Sequence, residues 1–258
     1  MGAYIRKFIQ YRFLLVELVK KGIKLKYRRS YLGIIWSLLE PLLTMIVLTI
    51  VFGTLLGNHT KEFPVYILCG RLLYSYFNTA TKGCVKSIRQ NSAMIKKVYV
   101  PKYLYPLSKI IYEFVIFAIS LIVLVVVALV LGVYPTLRVF WVVPVLAVML
   151  LLTFGIGMIL STIGVFFRDM EYIWNVAGML IMYTCAIFYE PDRILASNVG
   201  IILKANPLFC LIQCFRAAVF GNAMNMHYLL YALAFSVVAS LVGVFIFYKK
   251  QDDFILNI

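Results

Sequence analysis

Acid is what this 258-residue chain has least of: 10 Asp and Glu against 25 Lys and Arg, with only two histidines. General acid–base and metal chemistry need clustered carboxylates, imidazoles or thiols, and His59 and His227 stand far apart in the sequence, both near expected external ends. Asp169 and Glu171, flanked by Arg168, are the only closely spaced acids expected at a cytoplasmic membrane face. Five cysteines (Cys69, Cys84, Cys185, Cys210 and Cys214) lack metal-ligand spacing. Each reads as a free buried thiol, although Cys210 and Cys214 share a helix face at i,i+4. No Gly-x-x-x-x-Gly-Lys-Ser/Thr loop occurs, so this chain does not bind ATP as a P-loop enzyme does. These absences weigh against an intramembrane glycosyl or acyl transferase. A secondary transporter would show paired half-repeats with buried ionisable groups, and the sequence has no convincing repeat.

What is abundant is apolar surface. Hydrophobic residues make up 64% of the chain and charged residues 14%, with a mean hydropathy of +0.96. An average soluble domain is about half apolar and about a quarter charged, so a soluble globular protein and a disordered one are both excluded. The apolar residues come in continuous runs rather than alternating strands, which excludes an outer-membrane barrel. The fold class is therefore an all-α membrane protein. Runs near the ~20 residues that cross a bilayer predict six transmembrane helices: 34–56, 63–85, 107–131, 140–166, 172–188 and 228–248. The second carries Arg71, Asn78 and Lys82 and is nearly hidden from hydropathy, and the fifth is short.

An even number of spans puts both termini on one side. Of the 25 basic residues, 19 fall in the N-terminal arm, the loops after the second and fourth spans, and the C-terminal tail; 6 fall opposite. Positive charge stays cytoplasmic, so both termini are expected in the cytoplasm. The net charge of +15 is thus accounted for by topology rather than by nucleic acid. The apolar stretch 8–19 is interrupted by Gln10, Arg12 and Glu17, with no small-residue cleavage site after it, and does not read as a cleaved signal. The Asn58-His59-Thr60 sequon in the first external loop reads as chance, and Gly53 and Gly57 form a Gly-x-x-x-Gly pair that permits close helix approach.

Residues 1–33 read as a cytoplasmic arm. Tyr4, Phe8, Tyr11, Leu15 and Leu18 recur at helical spacing, with Gln10, Glu17, Lys21, Lys24 and Arg28 on another face. This is the pattern of an amphipathic interfacial helix, apolar side down. Six cations fall within residues 20–29, and each contributes about 1 kcal/mol near an anionic surface. The bland alternative is a solvated flank; the density favours an anionic headgroup. The transmembrane domain is 34–258, with a cytoplasmic loop at 86–106 and an external segment at 189–227. In the loop, Asn91-Ser92 suits the cap of a short helix. Met94, Ile95 and Val98 share a face beside Lys96 and Lys97, and Pro101 stops the helix. A surface helix with an exposed apolar patch is a docking element for a soluble partner, or else it packs against the membrane. Arg168 and Asp169 read as a local ion pair in a tight turn, or a partner contact. Glu40, next to Pro41, reads as making a local polar contact. Residues 194–203 and 208–220 are too short to span and read as a re-entrant helical hairpin before the last span, tolerable only if packed against protein.

These features together resemble the permease subunit of ATP-binding-cassette exporters of polysaccharides, the type-2 family that exports O-antigen, capsule and teichoic acid. Residues 27–37, Tyr-Arg-Arg-Ser-Tyr-Leu-Gly-Ile-Ile-Trp-Ser, followed by Glu40-Pro41-Leu42, are similar to that family's Arg/Tyr–Ser–x–Leu–Gly–x–x–Trp pattern and first-span proline. Asn91 to Lys97 with Pro101-Lys102 and Pro106-Leu107 resembles its asparagine–leucine–isoleucine–lysine loop. Phe166-Phe167-Arg168-Asp169 looks like its Phe-Arg-Asp turn, and Asn206-Pro207-Leu208 with Arg216 looks like its external Asn-Pro segment. Arg71, Met94 and Val100 depart from the pattern; Arg71 bears on the external mouth, and the other two are conservative.

The resemblance implies a homodimer in the bacterial cytoplasmic (inner) membrane, paired with two copies of a nucleotide-binding ATPase subunit. The chain itself holds no cofactor, ATP and Mg being bound by that partner. The cargo implied is a lipid-linked glycan, with the same architecture exporting a drug, antibiotic or plain lipid as the nearest rival. Lys24, Lys26, Arg28 and Arg29 would receive the substrate's (pyro)phosphate, since cations are its partners. The chain has 18 Tyr and 19 Phe, and sugar C–H faces suit aromatic rings. Tyr27, Tyr31 and Trp36 are expected near the inner mouth and Tyr74, Phe77 and Tyr112 deeper. ATPase coupling is expected at Asn91, Met94, Ile95, Lys96, Lys97, Arg168 and Asp169, and an external gate at Asn206, Pro207 and Arg216.

Overall fold

The computed structural model describes residues 2–28, 30–56, 60–98, 100–195, 197 and 200–257, without the side chains of residues 2–10, 56, 193 and 194. Arg29, Gly57, Asn58 and His59 lie outside the described residues, as do the side chains of Tyr4 and Phe8. Among the described residues the regular structure is all helical: α1 (Gly2–Tyr27), α2 (Trp36–Leu56), α3 (Phe63–Gln90), α4 (Ser92–Lys97), α5 (Leu104–Val130), α6 (Val142–Phe166), α7 (Met170–Thr184), α8 (Asp192–Leu195), α9 (Gly200–Ala205), α10 (Pro207–Phe220), α11 (Met226–Lys250) and α12 (Phe254–Asn257). Single 3₁₀ turns, Gly33–Ile35 and Leu137–Trp141, lead into α2 and α6.

Four helical stretches are long and apolar enough to cross a membrane: Gly33–Leu55, Leu104–Val130, Leu137–Phe166 and Met226–Lys250. α3 is longer than most of these, about 42 Å at 1.5 Å per residue, but it carries Arg71, Lys82, Lys86 and Arg89. It tolerates them because it is the hub of the bundle, packed by α2, α5, α6, α7 and α10. Its environment is protein, so its apolar side chains face inward rather than all round. α7 and α10, at 15 and 14 residues, reach only about 22 and 21 Å, short of the ~30 Å hydrocarbon core.

The largest helix pair, α6 with α11, is built on small residues. A Cβ on Gly155 would lie 2.6 Å from the Ser240 nitrogen, and one on Gly243 would lie 2.6 Å from the Gly155 carbonyl oxygen. The Ser240 hydroxyl donates to the Leu151 carbonyl at 3.1 Å. Close backbone approach of this kind is how helices associate where lipid removes the hydrophobic drive.

α2 contains Pro41, which has no N–H to give the carbonyl four residues earlier. That carbonyl belongs to Ser37, and the Ser120 hydroxyl on α5 donates to it at 2.8 Å. A neighbouring helix thus supplies the donor that proline removed.

The apolar core forms two clusters, a large one through the bundle and a smaller one at one end. Leu15 of α1, Ile95 of α4, Leu104 and Tyr105 of α5, Phe247 of α11 and Phe254 of α12 pack together, so the first and last helices meet the α3–α5 connection at one end of the bundle. The Lys102 ammonium ties that end by donating to the Gln251 carbonyl. At the far end α10 stops at Gly221, whose φ of +71° suits only glycine there. Its carbonyl accepts from Arg138 at 2.7 Å.

Candidate functional site

The arm end holds a polar cavity of about 90 Å³ between the end of α1 and helices α2, α3 and α5. Its walls carry Lys26, Tyr27, Glu40, Arg71 and Glu113, with the hydroxyls of Ser37, Thr44, Ser75, Thr79 and Ser120. Glu113, about 14 Å along α5 from its start, is 7% exposed. The Lys26 ammonium lies 3.2 Å from its carboxylate. α1 reaches this depth because Tyr11, Leu14, Leu15 and Leu18 face the arm-end cluster, and because Gly22 lies against the Tyr112 ring, where a Cβ would sit 3.1 Å away. Burial pushes the Tyr27 phenol above its ordinary value against the opposing charge of Lys26.

The sequence-predicted headgroup residues are therefore divided. Lys24 and Arg28 are exposed. Lys26 is exposed as well, but its ammonium makes an ion pair with the buried Glu113 that the cation count did not anticipate. Arg29 lies outside the described residues. The aromatic set is divided too. Tyr27 lines the cavity, Tyr31 and Trp36 are exposed on the outside of the bundle, and Tyr112 is half-buried with Lys109 over its ring at 5.2 Å. Tyr74 and Phe77, expected deeper along the pathway, are packed: the Tyr74 hydroxyl donates to the Gly178 carbonyl at 2.8 Å, and Phe77 meets Trp174 at 6.4 Å. They join α3 to α7 within this chain.

The short helix α4 forms where the spacing predicts one, but its faces differ from expectation. Ile95 is 8% exposed and belongs to the arm-end cluster, Met94 packs against that cluster, and Val98 is 55% exposed. The apolar patch read from Met94, Ile95 and Val98 is thus turned inward except at Val98; Lys96 and Lys97 are on the surface. Asn91 precedes α4 without capping it: its side-chain amide donates back to the Ser87 carbonyl at 2.7 Å, closing the end of α3 instead. Arg168 and Asp169 are both exposed and do not pair with one another. The charge contact at that turn is Lys86 of α3 with Glu171 of α7. Proximity in sequence pointed to Arg168; helix packing brings Lys86.

At the far end, Asn206 and Arg216 converge on one turn. The Asn206 side chain accepts from the Leu208 N–H at 3.0 Å as the cap of α10, with Pro207 at its first position. Its amide donates to the Thr184 hydroxyl at 3.0 Å. Arg216 is 3% exposed. It donates to the carbonyls of Ala186 at 3.0 Å, Ile187 at 3.2 Å and Tyr66 at 3.2 and 3.3 Å, and its guanidinium stacks on the Tyr66 ring at 3.4 Å. Gly70 makes room, since a Cβ there would lie 2.9 Å from the guanidinium. Ala186 holds a φ of +48°, a strained conformation for a residue with a Cβ, inside the turn that Arg216 grips. Arg216 is thus a staple between α3, α10 and the end of α7 rather than a charge at an open mouth.

Sequence reasoning missed Glu113 and Ser120. Glu113 is the only acid within the Leu104–Val130 run, and a carboxylate inside a span signals function by default. Among the described residues no group of three or more His, Cys, Asp or Glu could hold a metal ion, and all five cysteines are free and buried.

This architecture is that of a multi-pass helical membrane protein whose first and last helices meet at one end. Residues 14–220 match the family model of the ABC-2 type transporter, and the chain belongs to that family. It is 30% identical over 242 residues to an O-antigen export system permease protein, RfbA, of Klebsiella pneumoniae, covering 93% of each chain. It is 28% identical over 252 residues to RfbA of Myxococcus xanthus, covering 97% of each. Its identity to the polysialic acid transport protein KpsM of Escherichia coli is 22% over 236 residues, 90% of this chain and 91% of that one.

Proposed function

We propose that this chain is the membrane subunit of an ATP-driven exporter that moves a lipid-linked polysaccharide (O-antigen, capsule or teichoic acid) out of the cytoplasm. The observation that carries the reading is the full-length likeness to O-antigen export permeases joined to a basic arm ending at a polar cavity. In this reading the four apolar helices, α3, and α7 together with the turn that follows it make six spans, and α1 lies in the membrane interface with both termini in the cytoplasm. α8 to α10 form a re-entrant segment at the external side, where Asn206, Pro207 and Arg216 hold the turn that a gate would move.

Six spans enclose half a pathway, so two copies face each other, and two copies of a separate ATPase, which binds ATP and Mg, drive them. The exposed side of α4 (Lys96, Lys97 and Val98) and the exposed Arg168-Asp169 turn are where that ATPase docks. Lys24, Lys26, Arg28 and Arg29 meet the phosphate of the glycan's lipid carrier. The outward rings of Tyr31 and Trp36 are available to the sugar.

The test is reconstitution with the ATPase in liposomes loaded with the lipid-linked glycan. Nucleotide-dependent translocation is expected, and its loss when Lys24, Lys26, Arg28 and Arg29 are all neutralised. Translocation unchanged in that variant, with the protein folded, overturns the headgroup assignment; transport of a drug but not of glycan overturns the polysaccharide reading.

A further inference from the structure

A cation in the wall of a cavity is costly to leave unpaired, and Lys26 is not left so. Its ammonium sits 3.2 Å from the carboxylate of Glu113, which α5 holds 7% exposed in the wall of the polar cavity. The neighbouring cations Lys24 and Arg28, on the same arm, face solvent. Lys26 is itself partly open to solvent, its side chain 35% exposed, so it is neutralised by Glu113 yet stays within reach of an entering anion. The cavity around the pair also carries Arg71 and the hydroxyls of Thr44 and Ser75, groups that donate to an oxyanion as readily as to a carboxylate.

We propose that Glu113 is the resident counter-ion of the anion site: an intramolecular carboxylate that latches the end of α1 against α5 and is displaced from Lys26 when a phosphate or pyrophosphate headgroup enters. The inference rests on the reading that the arm receives such a headgroup, and it adds how an empty exporter differs from a loaded one. Without anion, Lys26–Glu113 and the Gly22–Tyr112 contact hold the arm down. With anion, Lys26 exchanges one oxyanion for another, Glu113 takes up the donors lining the cavity, and the end of α1 is released from α5. The entering headgroup carries at least the negative charge of the carboxylate, so Lys26 is never left without a counter-ion, whereas a neutral solute offers nothing to trade and leaves the latch closed. Glu113 is accordingly a specificity device that excludes uncharged cargo.

The test reads the latch directly. All five native cysteines are buried, so nitroxide labels on the full chain carrying Leu25→Cys and Val115→Cys, both exposed positions, report the separation of α1 from α5. In phosphatidylcholine nanodiscs a short distance is expected. It should lengthen in Glu113→Gln, and in the otherwise unaltered chain when undecaprenyl pyrophosphate is included in the disc. Inorganic pyrophosphate serves as the second arm: lengthening with it as well shows that the site reads the anion alone, and lengthening only with the lipid shows that it reads the headgroup at the membrane. Both support the proposal. The exchanged pair Lys26→Glu with Glu113→Lys should restore the short distance. An unchanged distance in Glu113→Gln overturns the latch. A latch that opens in Glu113→Gln but responds to neither probe overturns the displacement, even where neutralising Lys24, Lys26, Arg28 and Arg29 abolishes export and the functional reading stands. Failure of that export experiment alone, with the distance still responding to pyrophosphate, removes the functional reading and leaves the exchange.

Discussion

The Ser120 hydroxyl stands 2.8 Å from the Ser37 carbonyl, the one carbonyl that Pro41 leaves without its helical donor. The two substitutions should therefore be coupled. Ser120→Ala orphans a buried acceptor and should cost about 1 kcal/mol, read as a lowered unfolding midpoint in detergent. In a Pro41→Ala background the backbone supplies the donor, and Ser120→Ala should become nearly silent. Additive effects in the double-mutant cycle would show that Ser37 finds its donor elsewhere.

Arg216 should be irreplaceable by lysine. A lysine keeps the charge but has no planar fork to reach Tyr66, Ala186 and Ile187 together, nor a guanidinium to stack on the Tyr66 ring. Breaking a buried charged network costs about 3–5 kcal/mol, so Arg216→Lys should lower thermal stability severely. Gly70→Ala should imitate it in part, because its Cβ would lie 2.9 Å from the guanidinium. Stability unchanged in both variants would remove the staple.

Ile95 and Val98 should separate folding from partner binding. Truncating a buried Ile costs about 2–5 kcal/mol, so Ile95→Ala should lower the unfolding midpoint of the isolated chain. Val98→Ser, at a 55% exposed position, should leave the midpoint alone and weaken co-purification of the ATPase. The opposite pattern would return the docking face to Ile95.

Gly155→Leu and Gly243→Leu should each wedge α6 from α11. Overpacking costs about 1–3 kcal/mol even where the core can yield, and here the obstructing atoms are backbone at 2.6 Å. Loss of folded protein in fluorescence-detected size exclusion is the expected outcome; normal elution would show that the pair can separate freely.

Legibility in the sequence follows the physics of each element. Helices facing lipid, such as α5, α6 and α11, announce themselves because every side must be apolar. α3 does not, because protein covers it, and Arg71 and Lys82 are tolerable on a helix buried that way. α4 was legible as a helix from Asn91 to Pro101, but not its orientation: Met94, Ile95 and Val98 share a face on paper, and only the arrival of α1 and α12 decides that Ile95 is the buried one. Arg168 and Asp169 adjoin in sequence and do not pair, while Lys86 and Glu171 pair across two helices, a contact no local pattern encodes. Arg216 was singled out beside the Asn-Pro segment, yet its partners are three carbonyls, and carbonyls leave no trace in residue type. Glu113 was missed although its signal was there: a lone carboxylate in an apolar run.

Two helices joined glycine to glycine, as α6 and α11 are at Gly155 and Gly243, have almost no side-chain cushion to slide on. Any rearrangement that opens a route through this protein must therefore treat them as a fixed post and take its movement from the more loosely seated helices, α1, α2 and α7, swinging around it.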